Sequence, residues 1–595
     1  MTRIKTDSRA SVSVSCSIGE LTMHKTITLL FLGLVLAAGV ALAGNTSPET
    51  QSVIVQGPNV ETVKRLVLEV GGTVTHELAI IRAVGAEMTA AQQDHLTALA
   101  PELKIYGDRS VETSGRRGGK KGDNKKDGSG DDPTDVVEPP ADDSDDHFDD
   151  WSRLMLASPP AHVDRVGATQ VHDVGIAGYG VTVAVLDSGS IPHPGLLNDG
   201  QGRSRLLAHY DAIAGMEKKG QDVTDWHGHG AHVAGLAVNS ERNSETGWYY
   251  GIAPEADLVI VRAFDPLGQG TYADVIRGID WIVANQDDYG IRVLNLSFSA
   301  PPHSYYWDDP LNQAVMAAWQ AGIVVVASAG NTGPDPMTIG VPGNVPYIIT
   351  VGAMSDNLSP NNPEDDVLAS FSSTGPTVEA FIKPEIVAPG GHVLSTMGFL
   401  STTAFYHPEF HDGGFYFLMS GTSQATAIVS GIAALMLQVD PSLTPDEVKC
   451  RLMASAHPAV DDAGGLAYSI FQQGAGLANA FDAINSTVGS CANQGLDIDR
   501  DLAGTEHYAG LARQAEDGSY YIVGHDGFVW SDGFVWSDGF VWSDGFVWSD
   551  GFVWSDGFVW SDGFVWSDGF VWSDGFVWSD ALTESAAVNL WVWQE

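Results

Sequence analysis

The chain has 595 residues, 75 acidic against 30 basic, for a net charge of −45. That length suggests three or four units, and a hydrophobic share of 44% excludes a wholly disordered chain. The acidic excess excludes nucleic acid as a partner, because phosphate binding needs clustered Lys and Arg, and it favours solubility and attraction of cations.

The chain opens with a segment that reads as an address. Met23-His24-Lys25 is a short charged stretch, residues 27–40 are apolar, and Ala41-Leu42-Ala43 supplies small residues for cleavage, so residues 1–43 form a signal region with Met23 as an alternative start. The apolar run is too short to span a membrane, and no other stretch reaches ~20 apolar residues, so no transmembrane anchor is expected. The destination is secreted and extracellular, with the periplasm or cell surface as alternatives. Cys450 and Cys491 are the two cysteines beyond this region, and an oxidising compartment allows them one disulfide, two free thiols being the alternative.

Residues 44–113 form a small domain. Residues 52–55 read as a strand, 60–70 as an amphipathic helix stopped by Gly71-Gly72, 73–88 as two strands, 89–99 as a helix and 103–106 as a last strand. This β-α-β-β-α-β order is that of a compact α+β unit. Residues 114–150 pass from Arg116-Arg117-Gly118-Gly119-Lys120-Lys121 to a run ending Asp149-Asp150; with so little to bury, they are a charged linker.

Residues 151–486 alternate short β-rich runs with helical patterns, which predicts a mainly parallel sheet in a three-layer α/β/α arrangement. Residues 181–186, 258–261, 291–296 and 323–327 are near-continuous apolar strands, as a sheet covered on both faces requires. A helix is expected over 272–285, and another from Pro445, announced by Thr444 and Glu447 as a capping box. Residues 425–437 are apolar nearly all round and should be a buried helix. Residues 487–526 are a connector. In the tail, 527–595, Gly-Phe-Val-Trp-Ser-Asp is repeated nine times without change, with Phe and Trp on one face of a short strand and a turn between units.

Three segments carry chemistry. Strand 183–186 ends in Asp187, where open α/β sheets place their sites. Gly228-His229-Gly230-Ala231-His232 supplies imidazole, and Gly421-Thr422-Ser423 leads into the buried helix, putting Ser423 at its positive end. A serine hydroxyl becomes a nucleophile when an imidazole takes its proton and a carboxylate orients that imidazole. Strand 324–327 ends in Ser328-Ala329-Gly330-Asn331, whose amide is a candidate donor to an oxyanion together with the Ser423 N–H. The order Asp…His…Ser differs from the His…Asp…Ser and Ser…Asp…His orders of two other triad families.

With these motifs, residues 160–485 resemble the subtilisin family (subtilases). The resemblance implies Asp187, His229 and Ser423 as catalytic triad and Asn331 in the oxyanion hole. It implies Leu267-Gly268-Gln269-Gly270 and Asn295-Leu296-Ser297 as two segments that pair with substrate backbone. Gly330 is placed beside the substrate, and Gly340 is like a pocket-floor glycine leaving room for a large apolar side chain. Residues 44–113 resemble a removable, inhibitory propeptide of ferredoxin-like fold. The sequence departs from the pattern at Ser188, at Ala231, in Gln424-Ala425-Thr426-Ala427, and at Ser299-Ala300, which replace a glycine pair at the substrate wall.

The implied function is a secreted serine endopeptidase acting on proteins or peptides. The chemistry needs no cofactor, and structural Ca²⁺ enters by resemblance alone. His227, His229 and His232 lack metal spacing; His232 is expected to be structural and His227 exposed. Asp497, Asp499 and Asp501 do not make a calcium loop, since Leu502 and Tyr508 stand where glycine and glutamate belong. The competing function is a surface binding or structural protein using the aromatic repeat tail on a subtilase scaffold.

Overall fold

The computed structural model describes residues 50–112, 160–218, 223–357, 366–461, 465–515 and 518–523. The signal region, the charged linker and the hexapeptide repeats lie outside them. The chain divides into Met1–Gln51 and Ser52–Glu595, and the contacts below belong to the second unit.

The first elements are β1 (Thr50–Gln56), α1 (Val60–Glu69), β2 (Thr73–Leu78), β3 (Ala83–Thr89), α2 (Ala90–Leu99) and β4 (Lys104–Gly107). Local chemistry sets the helix starts. The Asn59 side chain accepts from Thr62 N–H, and Thr89 and Gln92 form a reciprocal capping box. The sheet order is β2-β3-β1-β4. Alternation along β1 splits its side chains: Val53 and Val55 join the small domain's own core with Val63, Val67 and Leu96, while Ile54 faces the main core. A fifth strand, β5 (Ser110–Glu112), was not expected from the sequence; three residues carry no period of their own.

The region after residue 160 holds one large sheet of β6 (Thr182–Asp187), β7 (Leu206–Asp211), β8 (Met216–Lys218), β9 (Asp257–Arg262), β11 (Ile291–Leu296), β12 (Val324–Ser328), β13 (Ile349–Ser355), β14 (Val367–Leu368) and β15 (Ile386–Pro389). A short strand outside it, β10 (Gln269–Thr271), precedes β11 in the chain. The order is β14-β13-β12-β11-β6-β9-β7-β8 with β15 on β13, and only β14 and β8 run antiparallel. Every residue of β6, β12 and β13 is buried, so both faces of the sheet are covered.

The covering helices are α3 (His229–Val238), α4 (Tyr272–Ala284), α5 (Pro310–Gln320), α6 (Thr422–Val439) and α7 (Pro445–Ala454). Helix α6 is apolar enough to cross a membrane by composition, but it is packed on β11, β12 and β13 as a core helix. Hairpin β16 (Val393–Thr396) and β17 (Tyr416–Met419) lies by α3. The small domain docks through β2 and the turn Ala79–Ile81 onto α4 and α5. Leu78, Ile81 and Val111 thereby join the main core.

The segment after 487 is held to the sheet domain. Cys450 on α7 is bonded to Cys491, with Cα atoms 5.3 Å apart. Buried Asp501 accepts from the hydroxyls of Tyr306 at 2.5 Å and Tyr347 at 3.0 Å, and pairs with His507 at 2.7 Å. Asp497 caps the short helix Ile498–Leu502. These aspartates are structural bonding groups, as a short helix with buried tyrosine partners makes them.

Candidate active site

Strand β6 delivers Asp187 at its carboxyl end, beside the point where the chain crosses from the β9, β7 side to the β11 side. His229 is the first residue of α3, and its Nδ1 lies 2.8 Å from Asp187 Oδ1. Both side chains are wholly buried. Ser188 N–H also donates to Asp187 Oδ1 (2.7 Å), while Ser188 Oγ accepts from Gly230 N–H (2.9 Å), which ties the aspartate loop to the histidine helix.

The start of α3 is fixed by Asp225, a residue the sequence reading missed. Its Oδ1 accepts from His227 and Gly228 N–H, and its Oδ2 accepts from Ala231 N–H at 2.8 Å. Burial pushes the Asp225 carboxyl up, against these N–H groups. The position four residues before His229 was the available signal, since Asp is a preferred helix cap.

Ser423 lies in the first turn of α6, which packs against α3, and Gln424 of that turn approaches His232 in the first turn of α3. The Ser423 hydroxyl donates to the Ser297 carbonyl at 3.0 Å, and Ser297 Oγ donates back to the Ser423 carbonyl at 2.9 Å. Asn295 Nδ2 donates to Ser297 Oγ, and Ser430 Oγ donates to Asn295 Oδ1. His229 Nε2, the atom that would take the serine proton, has no hydrogen-bond partner among the described residues. Asn331 Oδ1 accepts from Thr422 N–H and Oγ1 at 2.9 and 3.0 Å, which makes the amide NH₂ the donor end.

His227 is buried, correcting the expectation of an exposed ring; it lies 6.2 Å from the His229 ring, and burial pushes it down to about 3. His232 is buried as well and is held neutral, at about 3, by burial. Its Nε2 reaches the Val393 and Phe417 carbonyls, and Gln424 Nε2 approaches its Nδ1 at 3.4 Å. That bonding makes His232 a strut between α3, α6 and the hairpin.

Gly270 stands on β10, where antiparallel β5 places Val111 opposite Gly270 and Ser110 opposite Thr271. Gly268 makes the turn before it at φ +76°, with its N–H on the Asp265 carbonyl. A Cβ on Gly340 would lie 1.9 Å from Ser299 Oγ, so that hydroxyl stands in the room the resemblance assigned to a large side chain. Gly330, at φ +110°, faces Ser299 and Ser373 in the same way. Ala300 and Val341 exchange backbone hydrogen bonds at 2.9 and 2.7 Å and close this wall. Among the described residues no group of three or more His, Cys, Asp and Glu side chains is placed to hold a metal ion.

The family model described as Subtilase family matches residues 178–477. The chain is a subtilase. This subtilase is 43% identical over 279 residues to serine protease AprX from Bacillus subtilis (strain 168), covering 46% of the chain and 60% of AprX. It is 31% identical over 300 residues to Subtilisin DY from Bacillus licheniformis, covering 50% of the chain and 91% of that relative. The solved structure of fervidolysin from Fervidobacterium pennivorans, a keratinolytic enzyme related to subtilisin, shares the fold with TM-score 0.53 and 23% identity, over 74% of the chain and 62% of fervidolysin. The chain therefore spans about three fifths of the length of AprX and of fervidolysin.

Proposed function

We propose that this subtilase is a secreted serine endopeptidase, made as a precursor whose small domain is a removable inhibitor. The buried Asp187–His229 contact, with His229 Nε2 left unpartnered among the described residues, carries the reading. Ser423 Oγ attacks the peptide carbonyl while His229 takes its proton and then gives it to the leaving amine; Asp187 holds the imidazole with Nε2 free for that exchange. The oxyanion is received by the Asn331 NH₂ and the Ser423 N–H, and water repeats the sequence on the acyl-enzyme. No cofactor takes part in these steps.

The inhibitor reading is supported by β5. The chain's own residues 110–112 lie antiparallel on β10, the strand to which resemblance assigns substrate backbone, so the small domain fills part of the cleft. Secretion rests on the signal pattern at residues 23–43.

A fluorophosphonate probe reports an activated serine. It should label the processed protein and leave Ser423→Ala unlabelled, and that variant should lose on the order of 10⁶ in turnover with the fold intact. Retention of a tenth of the turnover by Ser423→Ala would sink the assignment.

A further inference from the structure

The pairing of β5 with β10 extends one residue further, since Tyr272 N–H donates to the Arg109 carbonyl at 2.9 Å. Arg109 is thus two residues ahead of Val111, the residue opposite Gly270, and side chains two apart on a strand share a face. Val111 enters the core. The Arg109 guanidinium Nη1 meets Asp309 Oδ2 at 3.3 Å, and its centre lies 5.9 Å from the centre of the Tyr272 ring.

Asp309 is an unusual place to keep a carboxylate. Its side chain is 1% exposed, and it caps α5 with Oδ1, which accepts from Leu311 and Asn312 N–H at 2.9 and 3.2 Å. Oδ2 faces Arg109 and the Tyr272 hydroxyl, the latter at 3.4 Å. Burial pushes this carboxyl up to about 6 even with the guanidinium beside it. An α-helix cap needs only the first oxygen; the second is turned toward the strand that occupies the cleft.

We infer that Asp309 is a specificity-determining residue. With Tyr272 it forms a subsite that selects arginine in a substrate strand, two residues N-terminal to the residue that pairs with Gly270. The inference rests on the reading that β5 lies where the acyl side of a substrate lies. A substrate that replaces β5 on β10 follows the same backbone track, so its alternate side chains meet the same walls. Arginine suits them because its guanidinium reaches the carboxylate while standing within cation–π range of an aromatic ring; lysine offers a compact point charge in place of the delocalised plane. A neutral side chain there leaves Asp309 Oδ2 without its counter-charge, and an uncompensated carboxylate in a desolvated interface weakens binding strongly.

The test uses the processed protease, labelled casein as reporter substrate, and two competing peptides. One peptide has the sequence of residues 107–118, and the other differs only by citrulline in place of Arg109, which keeps the size and plane and removes the charge. The arginine peptide should compete roughly tenfold or more better than the citrulline peptide, the size of effect expected for one desolvated charge pair. In Asp309→Asn, which keeps an oxygen for the α5 cap, that ratio should collapse to within about twofold of one. If Asp309→Asn does not fold, the wild-type ratio decides alone. Casein hydrolysis with equal competition by the two peptides overturns the subsite while leaving the peptidase reading intact. A ratio that survives in Asp309→Asn overturns the role of Asp309. Absence of casein hydrolysis overturns the peptidase reading and the subsite with it.

Discussion

The Ser423 hydroxyl donates to the Ser297 carbonyl, so attack requires it to turn toward His229 Nε2, while the amide of Asn331 is already held by Thr422. Asn331→Ala should therefore leave KM nearly unchanged and cut kcat by ~10²–10³, because its donor bond strengthens as the oxyanion forms. Steady-state kinetics on a fluorogenic peptide checks this, and a change confined to KM would assign Asn331 to ground-state binding. A second residue sets an acid limit. Burial pushes His162 down to about 4, its ring lying 3.0 Å from the Tyr250 carbonyl. The unfolded chain takes up that proton below about pH 6.5 while the folded one stays neutral, so stability is full above 6.5 and falls toward pH 4. Between pH 6.5 and 5 the loss from this site is about 2 kcal/mol. Urea denaturation of Ser423→Ala, with and without His162→Gln, should show a smaller drop from pH 7 to pH 5 in the double variant. An equal drop would remove His162 from the account.

Helix α3 depends on the three N–H groups that Asp225 accepts. Asp225→Asn turns one acceptor into a donor facing N–H, which leaves buried donors unsatisfied and costs about 1–3 kcal/mol. It should also slow catalysis by displacing His229, a change that calorimetry and turnover together detect; unchanged values in both would show that α3 positions itself. The link from α7 to Cys491 spans 41 residues of sequence. Its loss in Cys491→Ser should lower stability by about 4 kcal/mol on the chain-entropy account, and reductant should then have no further effect on the melting temperature. A melting temperature equal to wild type would show that the segment from 491 is held by Asp501 and its partners alone.

At the scale of the whole chain, the small domain and the sheet domain share one apolar core through Ile54, Leu78, Ile81 and Val111, and also polar contacts such as Lys104–Asp308 and His76–Asp274. On the proposed inhibitor reading, such an interface should hold after one cut in the linker, so that inhibition would outlast the first cleavage until the small domain itself is degraded. Secreted wild-type protein should begin between residues 114 and 157, while Ser423→Ala from a protease-deficient host should retain the segment from residue 44. Mass spectrometry of both reads the termini. Full activity with residues 44–113 still attached would make the small domain a permanent accessory.

Residue order alone determined much of this protein, and for a local reason. Apolar strands buried on both faces and the capping box at Thr444 are set by neighbours in sequence, so the sheet region was legible there, and the motifs around Asp187, His229 and Ser423 marked the candidate site. What lay beyond reach depends on contacts between distant segments. Strand β5 exists because β10 supplies its hydrogen bonds, and Asp225, Ser297 and Asp309 acquire roles only from the groups folding sets against them. The burial of His227 and the hydroxyl of Ser299 against Gly340 are likewise decided by packing, which no local period encodes. A side chain's type is fixed by sequence; its partner is fixed by the fold.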